Sequence, residues 1–183
     1  AMGYRPRRLR VEGGELKGVF TASRLSDGEA IRDWLRETQA RRAVLVGAGY
    51  VGLEMAEALT KRGLEVTLVE ADAQVFPSLD PDMAALVEAE LERRAVRVLT
   101  SRHVKRLVGN QDSVEAVELT KGSLRLPAEV VFVDIGVEPS VELASAASIT
   151  LGPSGAIAVD DHMETSQHGV YAAGNCVETL HLV

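Results

Sequence analysis

Apolar residues crowd together in Ala43-Val44-Leu45-Val46 and again in Leu64-Glu65-Val66-Thr67-Leu68-Val69. Short, nearly unbroken apolar runs suit strands covered on both faces, as in a parallel sheet. Between them, from about Tyr50 to Arg62, apolar positions recur at helical spacing until Gly63 stops the pattern. The region therefore reads as strand, helix, strand. Upstream, Ser26 to Arg42 is helical in pattern, with Ser26 or Asp27 placed to cap it and Ile31, Trp34 and Leu35 on one face. Downstream, Asp80-Pro81-Asp82 opens a helix in which Asp80 is the expected cap and Pro81 the first helical residue. Met83, Leu86, Val87, Glu90 and Leu91 carry that helix to Arg94. Val96–Leu99 reads as a third parallel strand.

Beyond it, Val104–Val108, Ser113–Leu119 and Ser123–Leu126 alternate apolar with polar residues, broken at Gly109-Asn110 and Lys121-Gly122. Alternation of that kind predicts an antiparallel meander. Glu129–Ile135 is a further buried strand, closed by Gly136 and Pro139, and Ala156–Val159 and Val170–Ala173 read as two short ones. The expected fold class is α/β: a Rossmann-like parallel sheet with an antiparallel β-meander, in three layers.

The link between the first strand and its helix is Gly47-Ala48-Gly49-Tyr50-Val51-Gly52, a Gly-x-Gly-x-x-Gly turn. Gly47 allows a tight turn, Gly49 lets a pyrophosphate approach the backbone, and Gly52 lets helix and strand pack closely. The helix start adds unpaired N–H groups and the positive end of its dipole. The spacing alone is a weak signal. Its context is specific: the second strand ends in Glu70, 18 residues after Gly52, where a carboxylate can accept hydrogen bonds from ribose hydroxyls. A carboxylate there repels a 2′-phosphate, and no Arg occurs between Ala71 and Leu79. NADH is expected over NADPH.

The chain has 183 residues, 46% of them hydrophobic, enough for a substantial core. A net charge of −7 argues against a broad surface for nucleic acid or anionic membranes. Arg5, Arg7, Arg8 and Arg10 form a basic cluster that reads as a solvated or interface segment. No run reaches the roughly 18 apolar residues of a membrane span, and no signal peptide is visible. The single cysteine, Cys176, can form no internal disulfide, which fits a reducing, cytoplasmic setting. Without a resolving partner it is expected to be structural. His103, His162, His168 and His181 lack metal-ligand spacing and read as surface residues. Tyr50 and Glu54, one turn apart, read locally as a helix-start aromatic and a first-turn acid at the helix dipole.

Four stretches resemble the flavin-dependent pyridine nucleotide-disulfide oxidoreductases, nearest the NADH oxidase, NADH peroxidase and coenzyme A disulfide reductase branch. Gly3-Tyr4-Arg5-Pro6 with Gly18-Val19-Phe20-Thr21 resembles the exit from the flavin domain. Val46 to Glu54 resembles the NADH fingerprint. Asp134-Ile135-Gly136-Val137-Glu138-Pro139 resembles the turn closing the NADH domain, with Glu138 where Arg often stands. Thr165 with Gly169 to Cys176 resembles the second flavin motif, reading Gly174-Asn175 in place of the usual Gly-Asp.

The resemblance implies that Tyr50 covers the flavin face until nicotinamide displaces it. It implies that Glu54 contacts the nicotinamide carboxamide, that Gly136 belongs to the closing turn, and that Gly174 and Asn175 meet FAD. It also implies a flavin-binding unit with the redox cysteine ahead of Gly47, a dimerisation domain after residue 183, and a homodimeric parent. Ala1-Met2 reads as a cloning remnant. The chain is thus expected to be an excised piece: 1–24 the tail of a truncated FAD domain, 25–140 the NADH-binding domain, 141–183 a truncated return segment of the FAD domain. NAD is the cofactor expected for this chain and FAD for the full-length parent only.

Alone, the piece is not expected to turn over. The parent would pass hydride from NADH to FAD and on to a disulfide, peroxide or oxygen. A complete dehydrogenase would call for a base such as Tyr-x-x-x-Lys, but Tyr4, Tyr50 and Tyr171 are followed at that spacing by Arg8, Glu54 and Asn175. A stand-alone NADH-sensing or partner-binding module is the alternative.

Overall fold

The computed structural model of the protein describes residues 3–120, 122 and 124–178. Of the positions singled out in the sequence, Ala1, Met2, Lys121, Ser123 and His181 lie outside the described residues. In chain order the elements are β1 (Tyr4–Pro6), β2 (Val19–Phe20), α1 (Leu25–Thr38), β3 (Arg42–Val46), α2 (Tyr50–Lys61), β4 (Glu65–Val69), α3 (Pro81–Arg93) and β5 (Arg97–Leu99). There follow β6 (Val104–Asn110), β7 (Ser113–Leu119), β8 (Arg125–Pro127), β9 (Val130–Val133), β10 (Val137–Pro139) and α4 (Glu142–Ala146).

The described residues form two compact units, one within 8–136 and one within 3–7 and 137–178. The larger holds a parallel sheet in the order β2-β9-β3-β4-β5 and the antiparallel sheet β6-β7-β8. Strand alternation sorts the parallel sheet's side chains. Ala43, Leu45, Val66, Leu68, Val130 and Phe132 meet Ile31 and Leu35 of α1, Ala56 and Leu59 of α2 and Leu91 of α3. Val44, Val46, Val69, Val131 and Val133 meet Leu107, Val114, Val117, Leu119 and Leu126 of the meander. Helices, parallel sheet and meander make the three layers expected.

Local details depart from expectation. Helix α1 begins at Leu25 with Arg24 as its cap, not Ser26 or Asp27. Asp27 sits in the first turn, and its carboxylate accepts the backbone N–H groups of Ser23 (2.8 Å) and Arg24 (3.0 Å). Those bonds, the one from Ser23 foremost, hold the Asp27 carboxyl below the usual carboxylate range. Asp80 does cap α3, but only through its backbone: its carbonyl accepts the Ala84 N–H at 2.9 Å. On α3 the core takes Ala84, Val87 and Leu91, leaving Met83 and Leu86 exposed. The third meander strand lies at Arg125–Pro127, and its proline is tolerated because β8 is an edge strand.

The two compact units part between residues 7 and 8 and between residues 136 and 137. Val19 and Phe20 pair in parallel with Val131 and Phe132, so residues 8–24 belong with the larger unit. Val137–Pro139 pairs antiparallel with Tyr4–Pro6, which puts it in the smaller one. That register sets Glu138 opposite Arg5, whose guanidinium donates to it at 2.6 Å and also pairs with Glu142. An acid before Pro139 is thereby explained by its partner across the ladder. In the smaller unit Ala156–Val159 and Val170–Ala173 make only isolated bridges, Ile157 to Leu151 and Val177, and Tyr171 to Glu164. Ala144, Ile157, Cys176 and Val177 form the core of this unit. No helix among the described residues is long and apolar enough to cross a membrane.

Phe132 is 2% exposed at the centre of the helix-facing core. Phe132→Ala is expected to cost about 3–5 kcal/mol, whereas exposed Leu86→Ala changes stability by about 0.5 kcal/mol or less. Urea unfolding of both variants against the parent measures the difference.

Candidate functional site

The pairings Val46↔Val69 and Val46↔Val133 set the ends of β4 and β9 level with the end of β3. The next residue of each strand, Gly47, Glu70 and Asp134, therefore falls on one edge of the sheet. Such an edge, at the carboxyl ends of parallel strands, is where open α/β sheets bind ligands.

Each fingerprint glycine answers a different demand. Gly47 has φ +103°, and a Cβ there would lie 1.8 Å from the Asp134 carbonyl oxygen. A Cβ on Gly52 would lie 2.3 Å from the Gly47 carbonyl oxygen, so this glycine seats α2 against the turn. Gly49 caps α2, and a Cβ on it would meet only Asp134 Oδ2, at 3.3 Å. Its missing side chain leaves space above the turn, as a ligand approaching the backbone requires. The first intrahelical bond runs from the Leu53 N–H to the Gly49 carbonyl at 3.0 Å, so Tyr50 and Val51 precede the ladder and their N–H groups have no intrahelical acceptor.

Two carboxylates hold the turn. Glu70 is 7% exposed; its Oε2 accepts the Ala48 N–H at 2.6 Å and its Oε1 the Asp72 N–H at 2.9 Å. Asp134 Oδ2 accepts the Gly52 N–H at 2.8 Å. A cavity of about 420 Å³ opens over the turn, with Gly47, Gly49, Glu70, Asp72, Arg102, His103 and Asp134 in its wall.

Of the residues picked from sequence, Gly47, Gly49, Gly52 and Glu70 thus converge at the edge of the sheet. Val51 is half-buried and packs onto the helix-facing core. Tyr50 is 65% exposed at the first position of α2. Glu54 is exposed and lines a groove between α2 and α3 instead of the cavity. Gly136 is exposed at φ +90° in the turn after β9. Gly174, with φ +93°, and Asn175 are exposed and belong to the smaller unit. Cys176 is 1% exposed, with Sγ 3.7 Å from the Ala173 carbonyl, as befits a structural thiol. No cluster of metal-ligand type occurs among the described residues, and His168 pairs with Glu164 at the surface.

Asp72, Arg102, His103 and Asp134 escaped the sequence reading as site residues. The available signal was positional: in a parallel sheet, whatever follows each strand reaches the same edge, and Asp134 follows β9 as Glu70 follows β4.

Comparison with known proteins agrees with this architecture. The family model described as pyridine nucleotide-disulphide oxidoreductase matches residues 1–183. The "NADH oxidase" of Methanocaldococcus jannaschii is 40% identical over 100% of this chain and 40% of its own length. The chain thus spans about two fifths of that relative. Among solved structures, a NAD-dependent persulfide reductase from A. fulgidus superposes with a TM-score of 0.90 at 42% identity, covering 97% of this chain and 32% of that one. A FAD-dependent pyridine nucleotide-disulphide oxidoreductase from Desulfovibrio vulgaris superposes with a TM-score of 0.82 at 34% identity, covering 97% and 45%. The chain belongs to the pyridine nucleotide-disulphide oxidoreductases, a family that uses NAD(H) and FAD.

Proposed function

We propose that this chain is the NADH-binding part of a flavin-dependent oxidoreductase. The observation that carries the reading is the turn at Gly49: an open cradle that a Cβ would begin to fill, facing a cavity at the carboxyl edge of the sheet. The N–H groups of Tyr50 and Val51 and the positive end of α2 receive the diphosphate there. Glu70 receives the adenosine ribose. Each of its oxygens already takes one backbone N–H and keeps a lone pair for a hydroxyl. The same charge disfavours a 2′-phosphate.

NADH held here would supply hydride to FAD in the parent, whose chemistry would carry the electrons to a disulfide, peroxide or oxygen. The chain's own residues bind and orient. In the parent, Tyr50, exposed at the start of α2, covers the flavin until nicotinamide displaces it, and Glu54 holds the carboxamide. Gly136 serves the closing turn, while Gly174 and Asn175 contact FAD in the full-length, homodimeric parent. The other segments of the parent supply the FAD unit and dimerisation, so this chain alone does not turn over.

The isolated chain is expected to purify colourless; stoichiometric visible flavin absorbance would contradict the proposal. Calorimetry is expected to give tighter binding of NADH than of NADPH, by about 1–3 kcal/mol, with the preference reduced in Glu70→Ala. Equal affinities in the parent chain would sink the Glu70 assignment. Gly49→Val is expected to abolish NADH binding while the far-UV circular dichroism stays native. Tyr50→Ala is expected to cost about 0.5 kcal/mol or less in urea unfolding. A loss above about 2 kcal/mol would mark Tyr50 as a core residue.

A further inference from the structure

The two carboxylates on the glycine turn are not equivalent. Strands β4 and β9 flank β3, and each delivers one acid to the turn from its own side. Glu70 is buried and spends both oxygens on amides of neighbouring loops. Asp134 is half-buried, gives only Oδ2 to the Gly52 N–H, and forms no ion pair among the described residues. Its Oδ2 also lies 3.3 Å from where a Cβ on Gly49 would stand, inside the space that this glycine keeps open. The charged and titratable groups lining the cavity are Glu70, Asp72, Asp134, Arg102 and His103. A helix start that attracts anions is here already occupied by one.

We propose that Asp134 sets nucleotide affinity by opposition. It fixes the glycine turn in the unliganded protein by occupying an amide of α2, and it repels the diphosphate once a dinucleotide is bound. The turn stays ordered without ligand, and the dinucleotide is held less tightly than the helix terminus alone would hold it. A charge a few ångströms from a phosphate near a protein surface is strong enough for such an effect and is weakened by salt. This inference rests on the nucleotide reading of the site.

The test is calorimetry on the whole chain and on Asp134→Asn and Asp134→Ala, titrated with NADH, ADP, AMP and adenosine at low salt and at 1 M salt. Asp134→Asn retains an oxygen for the Gly52 N–H while losing the charge. It is expected to bind NADH about 3–10-fold more tightly, equivalent to about 0.7–1.4 kcal/mol. The gain should persist with ADP, shrink with AMP, vanish with adenosine, and fall in 1 M salt. Asp134→Ala should show the same ligand series, with a lower urea midpoint because the amide loses its partner. It carries the test if Asp134→Asn fails to fold. A purely bracing role predicts instead that Asp134→Asn is neutral and Asp134→Ala weakens every ligand alike; either result overturns the proposal. A gain as large for adenosine as for NADH also overturns it. Failure of the unsubstituted chain to bind NADH would overturn the nucleotide reading itself.

Discussion

Val46, Val69 and Val133 stand level across three adjacent parallel strands, and the geometry of the candidate site descends from that register. One residue later the chain turns out of the sheet at three neighbouring points. Gly47 passes so close to the Asp134 carbonyl that no side chain fits between them. Its N–H donates to the Val69 carbonyl at 2.8 Å, and the Asp134 N–H donates to the Val46 carbonyl at 2.8 Å. The turn is therefore an extension of the ladder on both sides. A slip of one residue would send Leu45 to the meander and Val44 to the helices, so the alternating cores fix the register.

The opposite end of the same strands is tied in a comparable way. Glu129, just before β9, accepts the backbone N–H groups of Arg41 (3.1 Å) and Arg42 (2.7 Å) and pairs with the Arg42 guanidinium. Partial burial pushes the Glu129 carboxyl up, but the bonds from Arg42 and Arg41 outweigh it and the net shift is downward. Its carbonyl takes the Trp34 indole N–H at 2.9 Å, joining α1 to the sheet. Carboxylates thus bind β3 to its neighbours at both ends, with the apolar layers between. At the carboxyl end the same device faces a cavity.

The two compact units differ in how much regular structure they hold. In residues 8–136 the glycine turn, the acid after β4 and the open cavity meet at one sheet edge. Among the described residues, the smaller unit pairs β1 with β10 and otherwise makes isolated bridges, around a core of Ala144, Ile157, Cys176 and Val177. Its Gly174 and Asn175 are exposed.

Periodicity alone was sufficient for most of the larger unit. Unbroken apolar runs marked β3, β4 and β9, alternation marked β6 and β7, and Gly63 and Pro81 marked helix boundaries, because each signal is local and its physical cause lies within a few residues. The fingerprint glycines and Glu70 were legible for the same reason. The edge strand β2 was hidden, since two residues carry no period. The pairing of Arg5 with Glu138 was hidden too, because it joins positions 133 residues apart. Asp134 looked like the polar end of a strand. Only the sheet order, which sets β9 beside β3 although 83 residues separate Val46 from Val130, brought its carboxylate onto the Gly52 N–H. Long-range strand order follows from how whole layers bury their faces, and no short window of residues contains that information.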